Sequence, residues 1–406
     1  MSEEVQITII GGGVIGCAVA YELSKDSRWE DLVVIEKNNQ IKGENQSSRN
    51  SGVIHAGIYY PKNIGPLKAR LCVEGNRLLY EFCAKHDIPC KKTGKLVVAT
   101  DSMEEEYLED VYSIGVSNNV PDIEIMDGKR AKLYEPNIKV VSALYVPSSG
   151  IVDATSLVDR LYRYAESAGA MFLTGNKVID IKPGNGGFEI KIASAAETET
   201  FKTRYLINAA GLYSDEIAEM VNLESPYLMD PVKGEYARFY KSKRENIFMK
   251  GLNVYPVPCG YLPGGEKLKV TFKEFQRQFM AGKVNKSVGV HLTPTFDIRG
   301  SNYIIGDTVT IGPAYSKPQD KEDYRQERKE KYYLEMVKPF FPNLALEDIS
   351  LHQAGIRSKL KDWYDFVIER DPGYPDLINL VGIDSPGLTS SLAISKYVKK
   401  LLQETL

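Results

Sequence analysis

The sequence predicts an α/β protein in which a parallel-sheet domain of the dinucleotide-binding type is interleaved with a mixed-sheet α+β domain. Three junctions carry that reading. Gly11-Gly12-Gly13-Val14-Ile15-Gly16 follows the apolar run Val5 to Ile10 and opens a helix-spaced stretch ending at Leu23, which is how a Rossmann-type unit begins. Near the C-terminus, Leu377 to Val381 runs into Gly382 and Gly387 and then into helical spacing up to Leu402. Mid-chain, Tyr205 to Ala210 reads as a strand closed by Gly211, with a helix from Ser214. The stretch from Pro226 to Pro313 is strand-rich and aromatic. The two domains therefore alternate along the chain. Segments 1–90, 148–222 and 345–406 are assigned to the dinucleotide-type domain, and 91–147 with 223–344 to the second.

The remaining elements follow from apolar spacing. Leu32 to Glu36 is a buried-type strand. Leu67 to His86 places Leu67, Leu71, Leu78, Leu79 and Phe82 on one helical face. Gly94 to Thr100 reads as a strand and Ala154 to Ala168 as an amphipathic helix. Pro183 to Gly187 is a turn between short alternating strands, and Gln319 to Val337 reads as one charged helix.

Composition narrows the function classes. Across 406 residues, 43% are apolar and 26% charged, ordinary for a soluble globular protein. A net charge of −3 gives no footprint for nucleic acid. The apolar runs are too short to span a bilayer, and the chain enters a strand at once, so no signal peptide is expected. The cysteine count is five, without a CxxC pair, so a disulfide framework is not expected and a reducing, cytoplasmic compartment is. The four histidines are scattered without HxxH spacing, so no metal site is expected.

The glycine turn suits a pyrophosphate. Gly11 permits the tight turn, Gly13 lets backbone approach the phosphates, and Gly16 lets helix pack on strand. Glu36, twenty residues after Gly16, ends the second strand where a carboxylate accepts both ribose hydroxyls. The motif alone does not separate FAD from NAD. The C-terminal junction does, because it aims a helix N-terminus at a part of the ligand that becomes negative. Reduction puts charge on the N1–C2=O edge of a flavin and none on a nicotinamide. FAD is therefore expected, held by Gly11, Gly13, Val14, Ile15, Gly16, Glu36 and Lys37. The polar loop Ser47, Ser48, Arg49, Asn50 and Ser51 joins them, with the backbone of Val178 and the turn at Ala210 and Gly211. Gly382, Asp384, Gly387, Leu388 and Thr389 complete the set from the C-terminal third.

The stretch Ser47-Ser48-Arg49-Asn50-Ser51-Gly52-Val53-Ile54-His55-Ala56-Gly57-Ile58-Tyr59-Tyr60 closely resembles the L-2-hydroxyglutarate dehydrogenase/oxidase family, within the D-amino-acid-oxidase-like FAD superfamily. The likeness continues at Leu67 to Gly75, Gly94 to Ala99, Gly150 to Asp153, Ile207 to Leu212, Tyr255 to Pro258, Gly289 to Pro294 and Gly355 to Arg357. It implies oxidation of a 2-hydroxy acid, L-2-hydroxyglutarate before others, to the 2-oxo acid on non-covalent FAD. Electrons then pass to oxygen, a quinone or another carrier. An amine or amino-acid oxidase, a glycerol-3-phosphate dehydrogenase-like enzyme and a non-catalytic dinucleotide-binding protein are the alternatives. Three departures from the family pattern stand out: Arg49 where many members have His, Lys233 where an Arg-Gly pair is often found, and an apparent insertion at 259–287.

Such a reaction needs a base for the hydroxyl proton and cations for the carboxylate. His55 is the first choice for the base, with His291 its rival and His86 and His352 behind. Arg357 is the carboxylate clamp, since a guanidinium matches a carboxylate with two parallel bonds. Lys233 or Arg49 is the candidate for a second carboxylate, Lys233 also for the developing alkoxide, and the setting of Arg357, Ala354 to Ser358, resembles the turn that the superfamily places over the flavin. Tyr59, Tyr60 and Tyr255 offer hydroxyls. In the insertion, Glu266 to Lys286 is basic, with Phe272, Phe275 and Phe279 at helical spacing. This suits a helix lying on the inner face of a membrane, and equally a surface hairpin or a dimer contact.

Overall fold

The computed structural model describes residues 4–262, 267–300 and 302–404. Its first sheet runs in the order Lys177–Gly184, Gly187–Ala193, Thr198–Asn208, Glu4–Ile10, Leu32–Glu36, Met171–Thr174. Leu377–Val381 also pairs with Thr198–Asn208, and Val367–Arg370 with Leu377–Val381. The pairings around Glu4–Ile10 are parallel. Strands covered on both faces read as unbroken apolar runs, and every residue of Leu32–Glu36 and of Leu377–Val381 is buried. The first helix, Val14–Leu23, and the last, Gly387–Gln403, both contribute to the core on this sheet. The three glycine-bearing junctions thus come to one edge, at the carboxyl ends of parallel strands, where open α/β sheets bind ligands.

The second sheet has the order Ser350–Arg357, Val232–Tyr240, Asn302–Ser316, His291–Arg299, Asn253–Pro256, Lys95–Ala99, Ser142–Val146, Glu124–Asp127. Only Asn253–Pro256 with Lys95–Ala99 is parallel among the described pairings of this sheet. The alternation of the two sheets along the chain agrees with the interleaving expected. One boundary does not. Ser350–Arg357 pairs with Val232–Tyr240, from Arg238 opposite Ser350 to Val232 opposite Arg357, so it belongs to the second sheet and not to the expected 345–406 segment. Its register delivers Arg357 to the junction between the sheets. A three-stranded sheet of Val53–Ile54, Gly150–Val152 and Cys90–Lys91 fixes the backbone just before His55.

Two other expectations change. The charged helix is confined to Glu330–Val337, while the irregular stretch before it crosses the first sheet's ligand edge. There Glu322 takes a bond from Tyr213 at 2.6 Å and pairs with Lys37, and Lys321 pairs with Asp215 at 2.9 Å. In the insertion, Cys259–Tyr261 and Asn285–Ser287 form a small ladder around the helix Phe272–Met280. Its apolar stripe faces inward: Phe275 is buried, and Phe272 and Phe275 pack on Tyr107. Lys267 and Lys286 pair with Glu104 and Asp110 of the helix Ser102–Ser117. Residues 267–286 thus turn part of their apolar face, and the charges of Lys267 and Lys286, toward the rest of the molecule; Glu266 lies outside the described residues. No helix among the described residues is long and apolar enough to cross a membrane.

Candidate active site

Two cavities meet at the N-terminus of the first helix. The first, of about 200 Å³, is lined by Gly11, Gly13, Glu36, Lys37, Val178, Ala210 and Gly211 among others. The second, of about 340 Å³, is lined by Arg49, Asn50, Ser51, His55, the 383–388 turn and five tyrosines (Tyr59, Tyr60, Tyr236, Tyr255, Tyr315). Val14, Ile15, Gln46, Ser47, Ser358 and Ile383 line both, so a single elongated ligand can run from one to the other.

The first cavity is shaped by its turn. Gly11 has φ +109°, and a Cβ there would sit 2.3 Å from the Ala209 carbonyl oxygen; a Cβ on Gly16 would sit 1.8 Å from the Gly11 oxygen. Any side chain at either position would push helix and strand apart. Glu36 is buried and accepts from the backbone N–H of Gly12 at 2.7 Å and of Asn38 at 2.9 Å. Burial raises its carboxyl above the usual range, against those two bonds. The Ser47 hydroxyl accepts from Val14 N at 2.9 Å, which places the polar loop over the helix end that would hold a pyrophosphate.

In the second cavity His55 sits at the centre. Its backbone N–H donates to the Thr389 hydroxyl at 3.0 Å, and its carbonyl accepts from Asn76 at 2.8 Å. One ring nitrogen, Nε2, lies 3.2 Å from Ser385 Oγ, which is 3.2 Å from the Tyr60 hydroxyl. The other, Nδ1, is buried without a partner. Burial, then the charges of Lys95 and Arg357, hold this histidine well below the usual imidazole range. His291 stacks on Tyr255 at 3.8 Å and shares a contact of 3.2 Å with Thr293. It too is held low, by burial first and then by Lys95 and His55. Both histidines are thus neutral, the form in which an imidazole accepts a proton.

Arg357 reaches the same cavity. Asp384 takes one of its amino groups at 2.6 Å and the Tyr315 hydroxyl the other at 3.0 Å, while Nε has no partner. Asp384 is shared with Lys68 at 2.7 Å. Arg49 stacks on Tyr324 at 4.1 Å, and its Nε is likewise unpartnered. With His55 Nδ1 and the Tyr59 hydroxyl, these make four buried polar atoms of the wall without a partner. Unpaired buried polar groups are costly, and their convergence on one cavity fits a site that a polar ligand completes.

The cavities gather most of the residues expected from the sequence, with exceptions. Lys233 lines neither. Its ammonium is fully buried on the far side of its strand, paired with Asp323 at 3.1 Å and Glu327 at 3.0 Å, while the next residue, Gly234, faces the cavity. It cannot hold a substrate carboxylate. Gly16, Ser48, Gly382 and Thr389 also line neither cavity: Gly16 sets the helix packing, Gly382 turns the chain at φ +67°, and Thr389 fastens His55. His86 packs among Phe82, Tyr164 and Tyr21. The sequence reading missed Tyr236, Tyr315, Gln46, Tyr324 and Ser385. Tyr236 has the signal of period-2 alternation with Gly234 on one strand face; in a chain with 25 tyrosines that signal does not stand out. The insertion contributes too, since Lys286 and Ser287 form part of the wall.

Replacing Glu36 with Gln is expected to weaken FAD retention by about ten- to a hundredfold, the worth of a hydrogen bond to a charged group. Equilibrium dialysis of the variant against free FAD measures this; unchanged retention would place the ribose elsewhere.

Comparison with known proteins gives a consistent result. The sequence pattern of the FAD dependent oxidoreductase (DAO) family matches residues 6–401. The chain is 32% identical over 425 residues to the mitochondrial L-2-hydroxyglutarate dehydrogenase of Caenorhabditis elegans, covering 97% of this chain and 92% of that one. It is 31% identical to a glycerol 3-phosphate dehydrogenase of Caloramator mitchellensis, over 98% of this chain and 73% of the other. Among solved structures, the dithionite-reduced, FAD-bound L-α-glycerophosphate oxidase of Mycoplasma pneumoniae superposes with a TM-score of 0.80 at 25% identity, covering 98% and 95% of the two chains.

Proposed function

The chain belongs to the FAD-dependent oxidoreductases of the DAO family, and from that premise we propose that it oxidises L-2-hydroxyglutarate to 2-oxoglutarate. One observation carries the reading: a half-partnered His55 shares a cavity with two arginines, Arg357 and Arg49, that keep unpartnered nitrogens. A hydroxy acid must lose a hydroxyl proton and a dicarboxylate must be held at two places, and this wall supplies one base and two cations. FAD, when bound, supplies the acceptor for the hydride from the substrate Cα.

The residues divide the remaining tasks. Arg357, its orientation set by Asp384 and Tyr315, receives the carboxylate next to the hydroxyl. Arg49, steadied by Tyr324, meets the distal one. His55 takes the hydroxyl proton, with Ser385 and Tyr60 fixing its ring. The five tyrosines exclude bulk water and strengthen each charged contact. Turnover also requires an electron acceptor.

A second reading is favoured by the 31% identity to a glycerol 3-phosphate dehydrogenase: Arg357 and Arg49 would then hold a phosphate. Steady-state rates with an artificial acceptor separate the two. L-2-hydroxyglutarate is expected to exceed glycerol 3-phosphate in kcat/KM by at least about a hundredfold, as for a site built to pair a group the competitor lacks, and to exceed its D-enantiomer as well, because with both carboxylates held the inverted Cα cannot offer hydrogen and hydroxyl to the same partners. The reverse order between L-2-hydroxyglutarate and glycerol 3-phosphate would overturn the proposal.

A further inference from the structure

Lys95 and Lys233 are both fully buried in the second sheet, and they are provided for in opposite ways. Lys233 has two carboxylates. Lys95 has none within ion-pair distance among the described residues. Its ammonium lies 3.8 Å from the centroid of the Tyr255 ring and 5.1 Å from that of Tyr59, two rings nearly parallel at 6.2 Å. His291 lies flat on Tyr255, also at 3.8 Å. Two groups that close to one centroid must occupy opposite faces. The order is therefore His291, Tyr255, Lys95, Tyr59, and Tyr59, Tyr255 and His291 all line the second cavity.

We propose that Lys95 is a positioning residue of this site: an ammonium caged by two tyrosine rings that makes the cavity electropositive and favours an anionic occupant. The inference rests on the function proposed above and adds a residue to it. A buried cation without a counter-charge is expensive, and strongly perturbed groups beside a cavity mark functional sites. Among the described residues, the titratable groups around this cage are all shifted toward their uncharged forms. The Cys72 thiol on the helix Pro66–Lys85 is pushed far up by burial, Tyr59 and Tyr255 likewise, and both histidines are held low. The missing anion is thus left for the ligand. An ammonium on the face of Tyr255 also draws electron density from the ring, making its hydroxyl a stronger donor toward that anion.

Burial lowers Lys95 from 10.5 to about 7, so an anion entering above that pH must bring a proton onto it. The FAD-loaded protein is titrated with oxalate from pH 6 to 9, and binding is read from the flavin absorbance shift. In the wild type the oxalate Kd is expected to rise above pH 7, by up to about tenfold per pH unit. In Lys95→Met it is expected to be weaker at pH 6 and flat with pH. Calorimetry on the wild type alone, at pH 7.5 in MOPS and in Tris, is expected to show proton uptake on oxalate binding, and it decides the matter should the variant not fold. The same pH dependence in both proteins, absence of an absorbance shift, or absence of proton uptake overturns the assignment. Substrate identity is tested separately by turnover, so Lys95 can fail while the hydroxy-acid reading stands, and the reverse.

Discussion

His55→Ala is expected to lower the rate of flavin reduction by L-2-hydroxyglutarate by about 10²- to 10⁴-fold, the usual worth of a positioned general base, with FAD still bound. The wall explains why the loss falls on chemistry. Thr389 and Asn76 hold His55 by its backbone, so the loop survives truncation of the ring. Stopped-flow reduction under anaerobic conditions measures the effect. An amine substrate, which reacts already neutral, loses far less in the same variant. Wild-type kcat/KM is expected to keep its value on the acid side until well below pH 6.5. The sign follows from the cause: burial and the neighbouring cations Lys95 and Arg357 disfavour the imidazolium, so protonation, which would remove the base, needs more acid than for a free imidazole. A rate for His55→Ala within about threefold of wild type would transfer the role to His291.

Arg357→Met is expected to lower kcat/KM by about 10² to 10³, mostly through KM. Hydrogen bonds between ions contribute about 1.5–3 kcal/mol each, and the variant has a second cost. Asp384 is held between Arg357 and Lys68; without the guanidinium a buried carboxylate faces the cavity with only one partner and repels the substrate. Arg357→Lys is expected to recover little, because a point charge cannot serve Asp384, Tyr315 and a substrate carboxylate at once. Adding Asp384→Asn to Arg357→Met should restore part of the affinity. If the double variant binds no better than the single one, repulsion by Asp384 is not part of the loss.

Much of this was legible in the sequence because local rules and the global fold agree there. The helix Val14–Leu23 and the strand Leu32–Glu36 have the limits that glycine placement and apolar runs predict. Glu36 reaches its place by spacing alone. The failures have physical reasons. Lys233 reads as a free cation because Asp323 and Glu327, some ninety residues on, are invisible to local pattern. The 319–328 stretch carries helix-forming residues, yet its side chains are drawn into pairs with Lys37, Gln46 and Asp215 across the ligand edge, and tertiary bonding overrides propensity. The Phe272, Phe275 and Phe279 stripe is a true helix stripe, but periodicity does not say whether core or lipid covers it. Lys95 stands directly before the apolar run Leu96 to Ala99, where local pattern gives a charge at a strand end no role, and only the fold shows the two rings that hold it.

Anaerobic mixing of the FAD-loaded protein with L-2-hydroxyglutarate, with the flavin absorbance followed, tests the hydroxy-acid chemistry most directly. Full bleaching in a single exponential, with 2-oxoglutarate formed in a one-to-one ratio to FAD, is the predicted result. A protein that takes up no FAD, or a flavin that stays oxidised with L-2-hydroxyglutarate and bleaches with glycerol 3-phosphate or an amino acid instead, would contradict it.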